Sequence, residues 1–208
     1  MDRKTANTNL FIIFHLLGLF LLTLLASSKT QVLGNSWVAF FYYLVLVILP
    51  VVVFVLLAEH QNPWTALGLG QNPMRGSAVG LLIGGVVLAV FLLSKRFGIS
   101  PAQTDTKLSL FLIFGTIFAA FAEELLFRGF ILPRMMTQMT FIKANILASV
   151  LFAGLHAAAL LQDGTLIIPK IILLFIISLW LGYLYKKTQS VWTAVWVHVL
   201  YNLAILIS

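Results

Sequence analysis

The chain has 208 residues, of which 61% are apolar and only 9% are charged, and its mean hydropathy is +1.05. This composition excludes a water-soluble domain and indicates an integral membrane protein. The formal net charge of +7 does not indicate a nucleic-acid partner, because the basic residues are scattered at the ends of apolar segments, where they meet lipid headgroups. Cysteine is absent, which excludes disulfides, thiolate metal sites and a cysteine nucleophile.

Seven apolar stretches are long enough to cross a bilayer as helices, and none alternates with the period of two that a membrane strand requires. We therefore predict an all-α fold, a polytopic transmembrane helix bundle with a polar intramembrane cavity. The predicted spans are 10–26, 37–58, 77–94, 107–130, 142–161, 166–185 and 190–207. Polar or Gly/Pro-rich turns are predicted between them at 29–36, 62–73, 98–105, 133–140, 163–164 and 186–190. We expect one membrane-embedded domain, 1–208, with generic spans over 1–106 and a motif-bearing catalytic core over 107–208.

The first span has an alternative interpretation as a cleavable signal peptide, since Arg3 and Lys4 precede the apolar run and small residues follow it. Its length favours a retained helix. Basic residues outside the membrane favour a cytoplasmic N-terminus by seven to five, following the positive-inside rule. His15, alone in this span, is predicted to be a packing residue.

Two further features are predicted to serve packing. Gly80 and Gly84 form a G-x-x-x-G pair, which lets two helices approach closely. Residues 131–141 contain three methionines and are predicted to form a short interfacial helix that fills space beside the bundle. A flexible substrate gate is the alternative for this segment.

Three charged residues, Glu123, Glu124 and Arg128, lie within six positions of the fourth span. An ionisable group at membrane depth costs several kcal/mol unless it is paired or hydrated, so this cluster is a candidate functional site. Glu124 and Arg128 are four residues apart on a helix and are expected to pair. Glu123 points about 100° away and has no partner in its own helix, which makes it the candidate general base or acid.

Two later spans carry polar residues with matching spacing. Phe152 and His156 are four residues apart and share a helix face, and His198 and Asn202 have the same spacing. Their polar side chains must face the bundle interior to avoid lipid. We therefore predict one polar cavity that contains Glu123, His156, His198 and Asn202.

Such a cavity holds the groups that amide hydrolysis requires. A carboxylate takes a proton from water, a histidine positions that water, and donors hold the developing oxyanion. The sequence contains no H-E-x-x-H, G-x-S-x-G or G-x-G-D motif, so other intramembrane protease chemistries lack their residues. Glu123, His156 and His198 also satisfy a catalytic zinc site, which is the alternative. A site without metal is favoured, since Asn202 suits an oxyanion donor better than a zinc ligand.

At these residues the chain resembles the CPBP family of intramembrane proteases, also called the CAAX protease and bacteriocin-processing or Abi family. The family motifs are E-E-x-x-x-R, F-x-x-x-H and H-x-x-x-N. They correspond here to Glu123-Glu124-Leu-Leu-Phe-Arg128, Phe152-Ala-Gly-Leu-His156 and His198-Val-Leu-Tyr-Asn202. All three occur in order on predicted spans, and Gly129 also fits the pattern. The resemblance covers the chain from about Lys107 onward, whereas the first hundred residues match only as generic spans.

The resemblance implies an all-helical membrane endopeptidase with a glutamate-driven, metal-free mechanism. Glu123 would activate water with the help of His156, while His198 and Asn202 would stabilise the tetrahedral intermediate. Supporting residues would be Glu124, Arg128 and Phe152. The founding eukaryotic relatives cleave the last three residues from prenylated CAAX proteins.

Two other classes of function are alternatives to the protease. One is a non-catalytic bacteriocin-immunity or peptide-binding protein on the same scaffold. The other is a proton-coupled transporter, although transporters usually show paired halves or broken helices. For the protease, the expected partner is a membrane-associated peptide or protein that enters through the bilayer or its interface. In the cell membrane of a prokaryote, the localisation we expect, leader-bearing peptides, bacteriocin precursors or other membrane proteins are better candidates than prenylated CAAX proteins.

Overall fold

The computed structural model describes residues 3–27, 36–98, 109–161 and 167–207. These residues form helices joined by short turns and include no strand, so the predicted all-α fold is confirmed. The α-helices are α1 (Arg3–Ser27), α2 (Ser36–Phe41), α3 (Leu49–Leu57), α4 (Pro63–Ala66), α5 (Pro73–Arg96), α6 (Leu110–Glu124), α7 (Leu132–Met136), α8 (Phe141–Leu160), α9 (Ile167–Thr188) and α10 (Val191–Ile207). Two π-helical stretches continue α2 into α3 and α6 into α7, namely π1 (Tyr42–Ile48) and π2 (Leu125–Ile131).

The observed helices follow the predicted spans closely. The bounds of α8, α9 and α10 lie within three residues of their predictions. By length and composition, four helices within the described ranges can cross a membrane, and two further apolar helices are shorter. The long ones are Lys4–Leu25, Pro73–Arg96, Phe141–Leu160 and Ile167–Thr188, and the shorter ones are Tyr42–Leu57 and Val191–Ile207. The predicted turns around Lys29, Pro101 and Asp163 lie outside the described residues.

The predicted turn that begins at Pro133 is wrong, because the chain stays helical to Met136. Proline has no N–H to donate to the carbonyls of the preceding turn. Here π2 comes just before Pro133, and the next side chain supplies the missing donor. The Arg134 Nη1 donates to the carbonyl oxygens of Phe130 at 3.2 Å and of Gly129 at 3.4 Å. The short helix predicted in this segment is therefore a continuation of π2.

Charged side chains are buried in this fold, while many large apolar side chains are exposed on its surface. Glu124 has no exposed surface and Arg128 is 2% exposed, whereas Phe14 and Leu82 are 67% and 71% exposed. A water-soluble protein has the opposite distribution, with charged groups outside. A bilayer accepts such an apolar surface, so the fold is that of an integral membrane protein.

One apolar core lies between α1, the segment from π1 to α3, π2 and α8. Phe127, Phe130 and Phe152 are at its centre and are almost fully buried. The methionines of residues 131–141 pack on this core, as predicted. His15 stacks on Phe11 with a centroid distance of 5.3 Å, which agrees with its predicted packing role.

Gly80 and Gly84 lie against α10, where the predicted close approach is found. A Cβ atom added at Gly80 would lie 2.8 Å from the carbonyl oxygen of Thr193, and one at Gly84 would lie 2.8 Å from Leu200. A Cβ added at the neighbouring Gly85 would meet nothing within 4 Å. The pair of glycines therefore sets the distance between α5 and α10.

We expect Gly80→Ala to lower the free energy of unfolding by about 1–3 kcal/mol, because α10 must shift to admit the methyl group. Gly85→Ala is the matched control and is expected to be neutral or to stabilise α5 by up to about 1 kcal/mol. Thermal unfolding of both variants in detergent measures the difference. Equal melting temperatures would show that α10 does not pack against Gly80.

Candidate active site

The charged cluster lies where α6 passes into π2. Glu123 and Glu124 end α6, and Arg128 is in π2, whose seven residues are all buried. A π-helical turn is rare and occurs often at functional sites. Gly129 is part of π2, and a Cβ atom added there would lie 2.9 Å from the carbonyl oxygen of Leu67. Glycine is thus needed after Arg128 for the close approach of the Leu67 backbone.

Glu124 accepts hydrogen bonds from two side chains through one oxygen. Its Oε1 accepts hydrogen bonds from Arg128 Nη1 and from His198 Nδ1, each at 2.8 Å. Arg128 Nη2 in turn donates to the carbonyl oxygen of Ser178 at 2.6 Å and to its Oγ at 2.9 Å. The predicted pairing of Glu124 with Arg128 is confirmed, and the structure extends it to α9 and α10.

Glu123 points away from this pair, as the helix geometry predicts. Its Oε1 accepts a hydrogen bond from the Tyr43 hydroxyl at 2.8 Å. Its Oε2 lies 3.6 Å from His156 Nε2 and 3.9 Å from His198 Nε2. The two oxygens of one carboxylate therefore face different groups.

Hydrogen bonds fix the orientation of both imidazoles. His156 Nδ1 lies 2.9 Å from the carbonyl oxygen of Phe152, and His198 Nδ1 lies 2.8 Å from Glu124. A carbonyl and a carboxylate only accept, so each Nδ1 carries the proton and donates. The Nε2 atoms of both rings are consequently turned toward Glu123.

Phe152 packs among the other members of the site. Its ring lies 4.4 Å from the ring of His156 and 6.0 Å from that of His198, measured between centroids. The guanidinium carbon of Arg128 lies 5.4 Å from the same ring. Phe127 contacts Phe152 edge-on at 5.0 Å and completes the apolar support. Phe152 therefore restricts the rotation of both imidazoles.

The structure brings the four predicted catalytic residues to one cavity of about 430 Å³ between α6, α8, α9 and α10. Its lining includes Glu123, His156, His198 and Asn202. A second cavity of about 210 Å³ lies between α1, π1 and α8 and is mostly apolar. Three residues, Tyr43, Glu123 and His156, line both cavities. Glu123 thus lies at the boundary between the two cavities.

Sequence reasoning missed two residues that touch the charged groups. Ser178 carries a hydroxyl in the middle of the apolar helix α9. A polar group at that position could have indicated a residue of the site. Tyr43 is part of a Tyr-Tyr pair inside the second predicted span, and a tyrosine in a membrane interior needs a partner for its hydroxyl. The spacing of residues within one span cannot identify the partner of either residue, because both partners lie on other spans.

The zinc alternative can be tested against the observed donor set. A tetrahedral zinc ion with ligands at about 2.0–2.1 Å separates its ligand atoms by about 3.4 Å. The Glu123 carboxylate lies 3.6 and 3.9 Å from the two Nε2 atoms. Among the described residues, no group of three or more His, Asp or Glu side chains is arranged to hold a metal ion. Both distances are longer than that spacing.

The helices and the buried site together define an integral membrane protein with carboxylates and imidazoles in its interior. Residues 105–204 match the family model described as type II CAAX prenyl endopeptidase Rce1-like. The matched residues include all three motifs, so the resemblance to CAAX proteases indicated by those motifs is confirmed. That description is of an endopeptidase, and hence of a protease. No curated protein and no solved structure matches the chain.

We expect Arg128→Ala to lower the free energy of unfolding by about 3–5 kcal/mol, because it leaves the buried Glu124 carboxylate without its arginine. Glu124→Gln is expected to destabilise the protein in the same way, since it leaves Arg128 unpaired. Thermal unfolding in detergent measures both, with Lys143→Ala on the exposed start of α8 as the control. Unchanged melting of both site variants would mean that the ion pair does not form.

Proposed function

We propose that the protein is an intramembrane endopeptidase of the glutamate type, in which Glu123 activates a water molecule to hydrolyse a peptide bond. One observation carries this proposal. Glu123 Oε2 faces the Nε2 atoms of His156 and His198 at 3.6 and 3.9 Å, in a cavity that Asn202 also lines. The family match supports the reaction class.

In the proposed reaction, a water molecule in the cavity bridges Glu123 and His156. A neutral His156 with its proton on Nδ1 offers a lone pair at Nε2, and the carboxylate offers another at Oε2. A water molecule between them donates to both and keeps its own lone pair for the carbonyl carbon of the substrate. In the first step Glu123 takes a proton, and the water oxygen bonds to that carbon. Tetrahedral collapse then breaks the C–N bond, and the same proton goes to the leaving amine.

The developing oxyanion is assigned to His198 and Asn202. His198 donates from Nδ1 to Glu124, so a second proton at Nε2 would make an imidazolium beside a carboxylate. Glu124 stabilises that positive charge, and Nε2–H becomes a charge-assisted donor to the oxyanion. Asn202 adds a neutral amide donor from one helical turn further along α10. In this scheme Arg128 and Phe152 hold Glu124 and the imidazoles in place.

The substrate is a membrane-associated protein or peptide precursor, and the site reaches it from within the bilayer. Leader-bearing peptides and bacteriocin precursors are the classes that suit a prokaryotic cell membrane. The whole chain, residues 1–208, acts as one domain in this proposal, with the core from residue 107 onward carrying the reacting groups.

We expect Glu123→Gln to abolish cleavage while the protein stays folded, because an amide oxygen is too weak a base to accept the proton. A panel of peptides and membrane-anchored reporters, incubated with purified protein in detergent, measures cleavage. Glu59→Gln is the matched control, since this carboxylate pairs with Arg134 outside the site. Full activity of Glu123→Gln would contradict the proposed base, and no cleavage by the wild type across the panel would favour a non-catalytic immunity or binding protein.

We expect His198→Ala and Asn202→Ala each to lower kcat by about 10²-fold or more, as loss of an oxyanion donor does. Tyr201→Phe is the control, because Tyr201 lines the same cavity without a role in the proposed chemistry. Steady-state kinetics on a cleaved reporter separate kcat from KM. A change confined to KM would assign both residues to substrate binding instead.

A further inference from the structure

The two oxygens of Glu123 are not equivalent, and the difference comes from the part of the chain outside the family match. Oε1 accepts the 2.8 Å hydrogen bond from Tyr43, which precedes residues 105–204. Oε2 faces the two imidazoles. The terminal torsion of a glutamate is broad, so a carboxylate turns easily unless a partner holds it. Among the described residues, the donor that holds the Glu123 carboxylate is the Tyr43 hydroxyl.

Tyr43 is itself held by its neighbours. It lies in π1, and its ring contacts that of Tyr42 edge-on with a centroid distance of 5.4 Å. The Tyr42 hydroxyl is 2.8 Å from Thr23 Oγ1, which ties π1 to α1. Phenol side chains have few rotatable bonds, so the π1 backbone and the ring contact with Tyr42, which a phenylalanine at 42 would keep, define the position of the Tyr43 hydroxyl.

We propose that Tyr43 is a positioning residue of the active site, whose hydroxyl holds Glu123 Oε1 so that Oε2 alone faces the imidazoles and the water. This inference rests on the proposed function of Glu123. With Oε1 occupied by a donor, Oε2 is the oxygen left to take the proton. Tyr43 thereby gives the spans before residue 105 a defined part in the reaction.

The test replaces each phenol of the pair by phenylalanine. Tyr43→Phe removes the hydroxyl on Glu123 and keeps the ring, whereas Tyr42→Phe removes a hydroxyl that is one residue away and bonded to Thr23. Both residues line the cavity of about 210 Å³, so the two variants perturb it similarly. We expect Tyr43→Phe to lower kcat by about 10- to 100-fold at unchanged KM, since a misdirected base costs that much. Tyr42→Phe is expected to keep the wild-type kcat.

The measurement uses a membrane-anchored reporter that the wild type cleaves, with melting temperatures taken for each variant and Glu123→Gln run beside them. Wild-type kcat in Tyr43→Phe, together with an inactive Glu123→Gln, would overturn the positioning role and leave the proposed function intact. An equal loss of kcat in Tyr42→Phe would also overturn the positioning role, because the loss would then follow from a change in the cavity lining and not from the hydrogen bond to Glu123. An active Glu123→Gln would overturn the proposed function itself.

Discussion

A carboxylate without contact to solvent must find its hydrogen-bond donors inside the protein, and Glu124 finds them on two elements. Arg128 from π2 and His198 from α10 both donate to its Oε1, and Arg128 continues to Ser178 on α9. Removal of Glu124 or Arg128 would leave the charge of the other residue buried without its counter-ion, which costs more free energy than the ion pair itself contributes. The positions of α9 and α10 relative to π2 therefore depend on this network, and with them the position of the His198 imidazole.

This arrangement places the adjacent glutamates in different surroundings. Glu124 is fully buried and accepts both its hydrogen bonds at Oε1, whereas Glu123 keeps one oxygen directed at two imidazoles in a cavity. Consecutive residues on a helix point in different directions, so a pair of neighbouring acids can serve a buried network and a reactive site at once. The observed contacts agree with that division.

Most helices and several contacts of the candidate site could be predicted from the sequence. Apolar runs and breakers predicted the helices, and spacings of four predicted which polar residues share a face, as Glu124 and Arg128 do. The contacts of Tyr43 and Ser178 were not predictable, because they depend on how separate spans pack and not on spacing within one span. The helix through Pro133 was not predicted, because the Arg134 side chain donates to the carbonyl oxygens of Gly129 and Phe130. Helix propensities of single residues do not include such a side-chain hydrogen bond.

The central claim is that the side chains of this cavity hydrolyse a peptide bond with Glu123 as the base and without a metal ion. The most direct measurement is the turnover of a cleaved membrane-anchored reporter by purified protein before and after treatment with a strong chelator, followed by addition of zinc. We expect the same turnover in all three conditions, because no step of the proposed reaction requires a metal ion. Turnover that is lost to the chelator and restored by zinc would contradict it and assign Glu123, His156 and His198 to a metal site.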